Sequence, residues 1–287
     1  MAGSPVCDHA AVARWLFAPV PSAPEAVGHR IVHGGLRHAA PVHLDADVME
    51  ALEELVPLAP AYQPQALACI RAVAETWPHL PQVACLDTAF HRTQGRLAQL
   101  YPLPRALIDE GLVRFGFHGL SYAHVARTYP HGRVLAAHLG HGASLCAIRD
   151  GRSVATTTGL TTLDGLMMDT RSGAVDPGLV PHLIRDRGLA PDAVAELRNE
   201  RSGLLGVSGI SDDVRDLEGT GAPQAREALD LFSYRVVREA GSLIAALGGL
   251  DTLVFTGGVG EHAANVRASI CRGVAFAGFV LDATVTG

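Results

Sequence analysis

Arg30 and Arg171 are the first candidates for chemistry in this sequence, because each lies beside glycines and turn residues. A guanidinium is a planar fork that grips a carboxylate or a phosphate through paired hydrogen bonds. A structural ion pair is the alternative, because a buried arginine is costly unless it is paired. Asp169 and Asp176 are the obvious partners in that case. The residues alone leave both interpretations open.

All 23 basic residues are arginine, and the chain contains no lysine. A P-loop and a protein kinase each need a lysine at the phosphates, and Schiff-base catalysis needs a lysine amine. These classes are therefore excluded. Any phosphate chemistry must rely on arginine, histidine, backbone amides and a metal ion.

Two glycine-rich segments each follow an apolar segment. Gly140-His-Gly142 comes after residues 134–139, and Gly257-Gly-Val-Gly260 comes after residues 252–256. Glycine lets the backbone approach a phosphate, and successive free N–H groups can bind an anion. A tight turn is the alternative for either segment, and neither matches G-x-G-x-x-G. Two such segments in one lysine-free chain strengthen the phosphate interpretation.

Other polar residues occur at places suited to catalysis. His118 lies between aromatic residues and a turn, where an imidazole can hydrogen-bond a transferring group. Asp87 follows a predicted strand, where it is either a helix N-cap or a carboxylate acting on a metal or a nucleophile. Asp213 and Arg215 are either a loop ion pair or a nucleotide contact. No H-E-x-x-H spacing occurs, so no zinc site is expected.

The elements that must position these residues alternate between strands and helices, which predicts an α/β fold. Apolar runs predict strands over 26–32, 82–86, 134–139 and 252–256, with 144–148 as a hairpin partner of the third. Periodicity and prolines predict helices over 8–17, 47–56, 64–77, 180–187, 192–198 and 224–247.

The length of 287 residues predicts two domains, or one large one, and the change from strand to loop places a hinge just after Asp87. The net charge of −6 disfavours a nucleic-acid binder. No apolar run of membrane-spanning length occurs, so no membrane partner is expected. Five scattered cysteines without C-x-x-C indicate neither a disulfide framework nor a zinc cluster, and a reducing cytoplasm fits best.

Eight ordered segments carry a family resemblance over nearly the whole chain. They are Gly28-His-Arg-Ile-Val-His-Gly-Gly35, Asp87-Thr-Ala-Phe-His91, Phe115-Gly-Phe-His-Gly-Leu-Ser121, His138-Leu-Gly-His-Gly-Ala-Ser144, Leu163-Asp-Gly-Leu-Met-Met-Asp-Thr-Arg-Ser-Gly173, Asp176-Pro177, Ser202-Gly-Leu-Leu-Gly-Val-Ser-Gly209 and Phe255-Thr-Gly-Gly-Val-Gly-Glu261. In this order they resemble the acetate kinase family of acetate and propionate kinases, in the ASKHA superfamily. The resemblance implies a duplicated ribonuclease-H-like fold with a nucleotide cleft between two α/β domains. It also implies transfer of a phosphoryl group from ATP to a short-chain carboxylate, with Mg²⁺, by a homodimer.

The resemblance implies a role for each matching residue. Arg30 and Arg171 would hold the carboxylate and the transferring phosphoryl group, and His118 would hydrogen-bond an equatorial oxygen. Asp87 would organise the metal and the attacking carboxylate. Two side chains would wall the acyl pocket, namely Val32 and Phe117. The implied nucleotide contacts are His138, Gly140, Gly142, Asp213, Val214, Arg215, Gly257, Gly258, Val259 and Gly260.

Four positions depart from the family pattern. Ala61 replaces a pocket leucine and Thr162 a pocket proline, which predicts that propionate or butyrate serves at least as well as acetate. His141 stands where the family has asparagine. Asp169 stands where the family has glycine, and it brings a carboxylate close to the expected phosphate site.

Two family segments, an N-terminal Asn-x-Gly-Ser-Ser-Ser hairpin and a C-terminal Asn-Glu-Glu, have no counterpart here. The family residues that contact the metal lie in them, so the metal ligands are unknown. We therefore expect a chain shortened at both ends, with a partial N-terminal domain over 1–88, loosely ordered, and a stable nucleotide-binding domain over 89–287. An active carboxylate kinase, by itself or as part of a longer parent, is the first hypothesis. The second is an inactive remnant that binds nucleotide or only dimerises.

Overall fold

The computed structural model describes residues 24–279, so the predicted helix over 8–17 lies outside the described residues. The chain divides into two compact units. Of the described residues, the first unit contains 24–92 together with Phe117–Leu120, and the second contains Thr93–Gly116 and 121–279. The predicted boundary at residue 88 lies close to Arg92. No sequence pattern indicated that Phe117–Leu120 returns to the first unit.

The first unit contains a three-stranded sheet of order β1-β3-β2. Strands β1 (Val27–Ile31) and β3 (Gln82–Leu86) are parallel, and β2 (Val42–His43) is antiparallel to β3. The parallel strands agree with the predicted ones, and β3 has the predicted bounds. Parallel pairing brings the carboxyl ends of β1 and β3 to one edge, where Asp87 follows.

Two helices cover this sheet, Ala46–Glu53 and Gln63–Thr76. Asp45 caps the first by accepting a hydrogen bond from the Val48 N–H at 2.8 Å. The prediction extended this helix to Val56, but Pro57 has no N–H to donate to the Glu53 carbonyl, so the α-helix ends at Glu53. A separate 3-10 turn, Val56–Leu58, follows instead. The buried core between helices and sheet consists of Ile31, Val48, Leu52, Leu67, Ile70, Ala84 and Leu86.

The second unit contains a four-stranded sheet of order β6-β5-β4-β7. Strands β4 (Arg133–Leu139) and β5 (Ala143–Arg149) form the predicted hairpin, and β7 (Thr252–Thr256) lies parallel to β4. Strand β6 (Arg152–Thr156) was not predicted. The signal for it was Asp150-Gly151: both residues have positive φ, 49° and 75°, as a type I′ hairpin turn requires.

The longest helix, Pro223–Leu247, lies against this sheet and ends at Gly248, whose φ of 73° makes the predicted C-cap. Its buried face carries Phe232, Val236 and Leu243 into the core of the unit. The other α-helices from residue 93 onward are Arg96–Gln99, Arg105–Asp109, Gly119–Thr128, Leu179–Arg185, Pro191–Glu200, Gly203–Ser208, Val214–Thr220, Gly257–His262 and Ala264–Gly273. Short 3-10 helices lie at Ala89–Thr93 and Ala275–Ala277.

Among residues 24–279, no helix combines the length and the apolar character that a membrane crossing requires.

Candidate functional site

A pocket of about 380 Å³ opens in the second unit at the carboxyl ends of β4 and β7. Hydrophobic side chains form part of its lining, the apolar wall, and another part, the polar wall, consists of backbone and polar groups that include Gly140, His141 and Gly258. A largely apolar lining with a few polar groups is typical of a small-molecule site. The apolar wall consists of Leu204, Val214, Phe232, Val259 and Ala263.

The two predicted glycine segments meet at the polar wall. A Cβ on Gly140 would lie 3.7 Å from the Gly258 nitrogen. Gly257 has a φ of +82°, and a Cβ there would lie 2.6 Å from the Leu139 carbonyl oxygen, so this position requires glycine. Gly142 accepts a hydrogen bond from the Gly140 N–H at 3.2 Å, which makes the first segment a tight turn.

The second glycine segment is not a free loop. Gly257 to Gly260 form the first turn of the helix Gly257–His262. The sequence analysis did not predict this helix start, where Thr256 is the N-cap residue but makes no capping hydrogen bond through its side chain. The consequence for ligand binding is small, because free backbone N–H groups are also present at a helix N-terminus.

Asp213 and Arg215 form an ion pair at one side of the pocket. Asp213 is the N-cap of the helix Val214–Thr220 and accepts the Arg215 N–H at 2.8 Å. Hydrogen bonds from the Arg215 side chain and backbone lower the pKa of Asp213 to about 2. The two interpretations from the sequence are therefore compatible: the residues form a loop ion pair, and they also line the pocket.

Arg171 has no carboxylate partner among the described residues. Its guanidinium donates to the Thr162 carbonyl at 2.9 Å and, at 3.5 Å, to the carbonyl of His141. The ion pair with Asp169 or Asp176 was a wrong interpretation for this arginine. Asp169 pairs with His141, and Asp176 accepts the N–H of Gly178. The positive charge of Arg171 is thus available to an anion.

His138 lies at the carboxyl end of β4, half-buried, with Nδ1 3.0 Å from the Ser121 Oγ. It is not among the residues that line the described pocket. Its assignment as a nucleotide contact therefore stays a prediction.

Arg30 and Asp87 form an ion pair in the first unit. Arg30 donates from Nη2 and Nε to the same carboxylate oxygen, Oδ2, at 2.6 and 3.1 Å. This hydrogen bonding raises the pKa of the Arg30 guanidinium. Asp87 is 1% exposed, and its other oxygen, Oδ1, is buried with no hydrogen-bond partner within the described part of the chain. Asp87 is therefore not a helix N-cap, and Oδ1 is available to a ligand.

His118 is held beside Asp87 by the turn that precedes the helix Gly119–Thr128. The Gly119 N–H donates to the Asp87 carbonyl at 2.8 Å, and a Cβ on Gly119 would lie 2.0 Å from that oxygen. Only glycine permits this approach. His118 itself has a φ of 57°, a strained conformation for a residue other than glycine. Strain held in this way points to a functional position.

Val32 and Phe117, the predicted acyl-pocket walls, lie in one buried apolar cluster with Ala59. The carbonyl of Phe117 accepts a hydrogen bond from His91 Nε2 at 2.8 Å. Burial lowers the pKa of His91 to about 4. Sequence reasoning missed Ala59 and His91, since both act through contacts distant in sequence.

Sequence and structure comparisons agree on the family. A model of the Acetokinase family matches residues 21–286. An acetate kinase from Rhodopseudomonas palustris is 49% identical over 90% of this chain and 67% of its own length. A propionate kinase from Francisella tularensis superposes with a TM-score of 0.87 at 38% identity, covering 91% of this chain and 71% of the other. An acetate kinase from Entamoeba histolytica superposes with a TM-score of 0.91 at 34% identity, covering 99% of this chain and 77% of the other.

The fold is the duplicated α/β phosphotransferase fold that the sequence motifs implied. The chain belongs to the acetokinase family. It spans about two thirds of the length of its Rhodopseudomonas palustris relative.

Proposed function

We propose that this protein transfers a phosphoryl group from ATP to a short-chain carboxylate, with ADP and an acyl phosphate as products. The observation that carries the proposal is the uncompensated charge of Arg171 in the unit that holds the glycine-walled pocket. The relatives named acetate kinase and propionate kinase support the same activity, and they favour it over an inactive remnant.

The nucleotide is assigned to the pocket of the second unit. Adenosine would lie against the apolar wall, between Val214 and Val259. The phosphates would lie at the polar wall, where a Cβ on Gly140 would be 3.7 Å from the backbone nitrogen of Gly258. Asp213 with Arg215, together with Gly257, Gly260, Gly142 and His138, completes the proposed nucleotide set.

The carboxylate is assigned to residues of the first unit. Arg30 would bind its oxygens, and Asp87 fixes the direction of the Arg30 fork. The apolar cluster of Val32 and Phe117 would contact the acyl group. His118 would donate a hydrogen bond to an oxygen of the transferring group. Phosphoryl transfer requires positioning and charge stabilisation more than covalent chemistry, and these residue types supply both.

The described residues include no cluster of three or more His, Cys, Asp or Glu side chains suited to a metal ion. A Mg²⁺ ion nevertheless fits a single carboxylate, that of Asp87. The Oδ1 atom of Asp87 is a buried carboxylate oxygen without a partner, and Mg²⁺ in phosphotransferases typically uses one or two carboxylates plus substrate phosphates and water. When bound, the ion would neutralise charge on the transferring phosphates. Asp87 would hold it while Oδ2 keeps Arg30 in place.

The experiment is acyl phosphate trapping with hydroxylamine, with ATP and acetate, propionate or butyrate, with and without Mg²⁺. The proposal predicts hydroxamate formation that depends on ATP, carboxylate and Mg²⁺ together. Binding of ADP without any hydroxamate would instead support the inactive-remnant hypothesis. A surface variant, Arg71→Ala, is a suitable control because Arg71 pairs with Glu53 at an exposed site.

The wider assignments rest on the resemblance. A partial first domain over 1–88, a nucleotide domain over 89–287, a homodimer and a cytoplasmic location all stay predictions. Light scattering on the purified chain would measure the oligomeric state directly.

A further inference from the structure

The carbonyl group that holds Arg171 belongs to a segment without regular secondary structure. Residues 157–170 follow β6 and form neither a helix nor a strand. Thr162, whose carbonyl oxygen accepts a hydrogen bond from Arg171 Nη1 at 2.9 Å, lies within this segment. Such a segment keeps a side chain in one direction only if other contacts fix its backbone. The residues that fix residues 157–170 therefore determine where the Arg171 guanidinium points.

Arg114 joins the two halves of this segment. Its Nη2 donates to the carbonyl oxygens of Thr157 and Thr158 at 3.1 and 3.2 Å, which lie before Thr162 in the chain. The same nitrogen donates to Asp164 Oδ2 at 2.9 Å, after Thr162. A guanidinium is planar and rigid, so it sets the distance between the groups that it contacts. The backbone on both sides of Thr162 is thus tied to one side chain.

Tyr101 supports both the segment and the guanidinium. Its hydroxyl oxygen accepts the Leu160 N–H at 2.8 Å. The Arg114 Cζ lies 5.3 Å from the centroid of the Tyr101 ring, which is within the range of a cation–π interaction. The packing here is tight, because a Cβ on Gly159 would lie 2.5 Å from Asp164 Oδ2 and would also clash with the Tyr101 hydroxyl. The contacts therefore leave this backbone little freedom.

These residues do not present a charge to a ligand. Asp164 balances the charge of Arg114, and its second oxygen, Oδ1, accepts the Gly165 N–H at 2.9 Å. Neither Tyr101 nor Arg114 is among the residues that line the described pocket. Arg171, in contrast, has no carboxylate partner within residues 24–279. Arg114 and Tyr101 are thus suited to orient the segment, whereas Arg171 is suited to act on an anion.

We infer that Tyr101 and Arg114 are positioning residues for phosphoryl transfer, which fix the Thr162 carbonyl and through it the direction of the Arg171 guanidinium. The inference rests on the proposed function, because it needs Arg171 as the cation that stabilises the transferring group. A donor that is slightly displaced loses most of its effect in the transition state, where the geometry is most demanding. Loss of either positioning residue should therefore lower kcat and leave the KM values nearly unchanged.

The test is a set of four proteins in the steady-state hydroxamate assay: the unmodified chain, Tyr101→Phe, Arg171→Ala and the double variant. Tyr101→Phe removes the hydroxyl and keeps the ring beside Arg114. It should lower kcat by about three- to tenfold and leave the KM for ATP and for the carboxylate within about twofold. In the Arg171→Ala background the same substitution should change kcat by less than about 1.5-fold, because no guanidinium remains to be positioned.

A second variant and a matched control sharpen the test. Arg114→Gln removes the join itself and should lower kcat by about 10- to 100-fold, again only where Arg171 is present. Arg133→Gln is the control, because Arg133 also donates to a carboxylate and to a carbonyl, those of Asp251 and Gly248. These contacts lie at the amino end of β4, so this control should leave kcat unchanged in both backgrounds.

Two results would overturn the inference, and they differ in what else they reject. If Tyr101→Phe and Arg114→Gln lower kcat by the same factor with and without Arg171, or not at all, their contacts only stabilise the fold and the proposed function stands. If the unmodified chain forms no hydroxamate, the proposed function and the inference fail together. Thermal melts establish that each variant is folded, and Tyr101→Phe covers a failure of Arg114→Gln to fold.

Discussion

Arg30 and Arg171 were alike in the sequence, but the structure gives them opposite surroundings. Arg30 donates twice to the buried carboxylate of Asp87. Arg171 donates to the carbonyl oxygens of Thr162 and His141, and no carboxylate within the described residues pairs with it.

The difference separates two uses of one side chain. A carbonyl oxygen orients a guanidinium without cancelling its charge, so Arg171 is held in place and stays electrostatically active. A carboxylate neutralises the charge that it orients, so Arg30 and Asp87 together form a nearly neutral, rigid fork. The first arrangement suits charge that develops in a transition state, and the second suits binding and alignment of a substrate.

Removing Arg171 should have the largest effect on activity. Arg171→Ala should lower kcat by about 10²- to 10³-fold, the usual cost of losing one preorganised donor to a developing charge. Arg171→Lys should not restore it, because lysine lacks the planar fork that two carbonyl oxygens hold. Steady-state hydroxamate assays measure both, with Arg71→Ala as the control. Near-normal turnover in Arg171→Ala would end this assignment.

Acid should destabilise the Arg30 region through His91. Its folded-state pKa of about 4 lies below the ordinary value of 6.5, because burial disfavours the charged ring. The unfolded chain therefore binds more protons between these values, and stability is lost as pH falls from about 6.5 towards 4, by about 3 kcal/mol in total. Urea denaturation at a series of pH values measures this loss.

His91→Gln tests the origin of that acid sensitivity. Glutamine can donate to the Phe117 carbonyl as His91 does, but it does not titrate. The variant should lose most of the acid-induced destabilisation below pH 6.5. If it unfolds with acid as steeply as the unmodified chain, other groups are responsible.

The stability effects of the two arginines should also differ. Arg30→Ala leaves the buried Asp87 without its partner, which should lower the free energy of unfolding by about 1–3 kcal/mol. Arg171→Ala breaks hydrogen bonds to carbonyl oxygens at a half-buried site. It should change the free energy of unfolding by about 0.5 kcal/mol or less. The double variant Arg30→Ala/Asp87→Asn should recover part of the loss. Equal losses for both arginines would remove the distinction between them.

The smallest effect is expected in acyl selectivity. Ala61, where the family has a larger side chain, should let propionate or butyrate equal or exceed acetate in kcat/KM. Ala61→Leu should move the preference towards acetate by about tenfold, within the range that a methylene in an apolar pocket provides. Competition assays with paired acids measure the ratio. A tenfold acetate preference in the unmodified chain would show that another side chain fills the space.

Local patterns predicted most of the elements that position the site. Strands 82–86 and 252–256 and the long helix ending at Gly248 followed from apolar runs, proline and glycine. The strand Arg152–Thr156 was missed although Asp150-Gly151 marks its hairpin.

The contacts between distant residues could not be predicted in the same way. Because Asp169 is close to Arg171 in sequence, it was considered as the ion-pair partner of that arginine. Its side chain instead pairs with His141, which lies in the hairpin turn between β4 and β5. The approach of Gly119 to Asp87 depends on a backbone turn that no periodicity encodes. Tertiary packing decides which charged residues pair with one another. The sequence therefore identifies the charged residues but not their ion-pair partners.

A direct test of the distinction between the two arginines is a pair of steady-state matrices, with ATP and carboxylate varied in turn, for Arg30→Ala and Arg171→Ala. The account predicts that Arg30→Ala mainly raises the KM for the carboxylate, while Arg171→Ala mainly lowers kcat and leaves the KM for ATP within about threefold. The account would be contradicted if both variants changed the same parameter to the same extent, since the two arginines would then share one role.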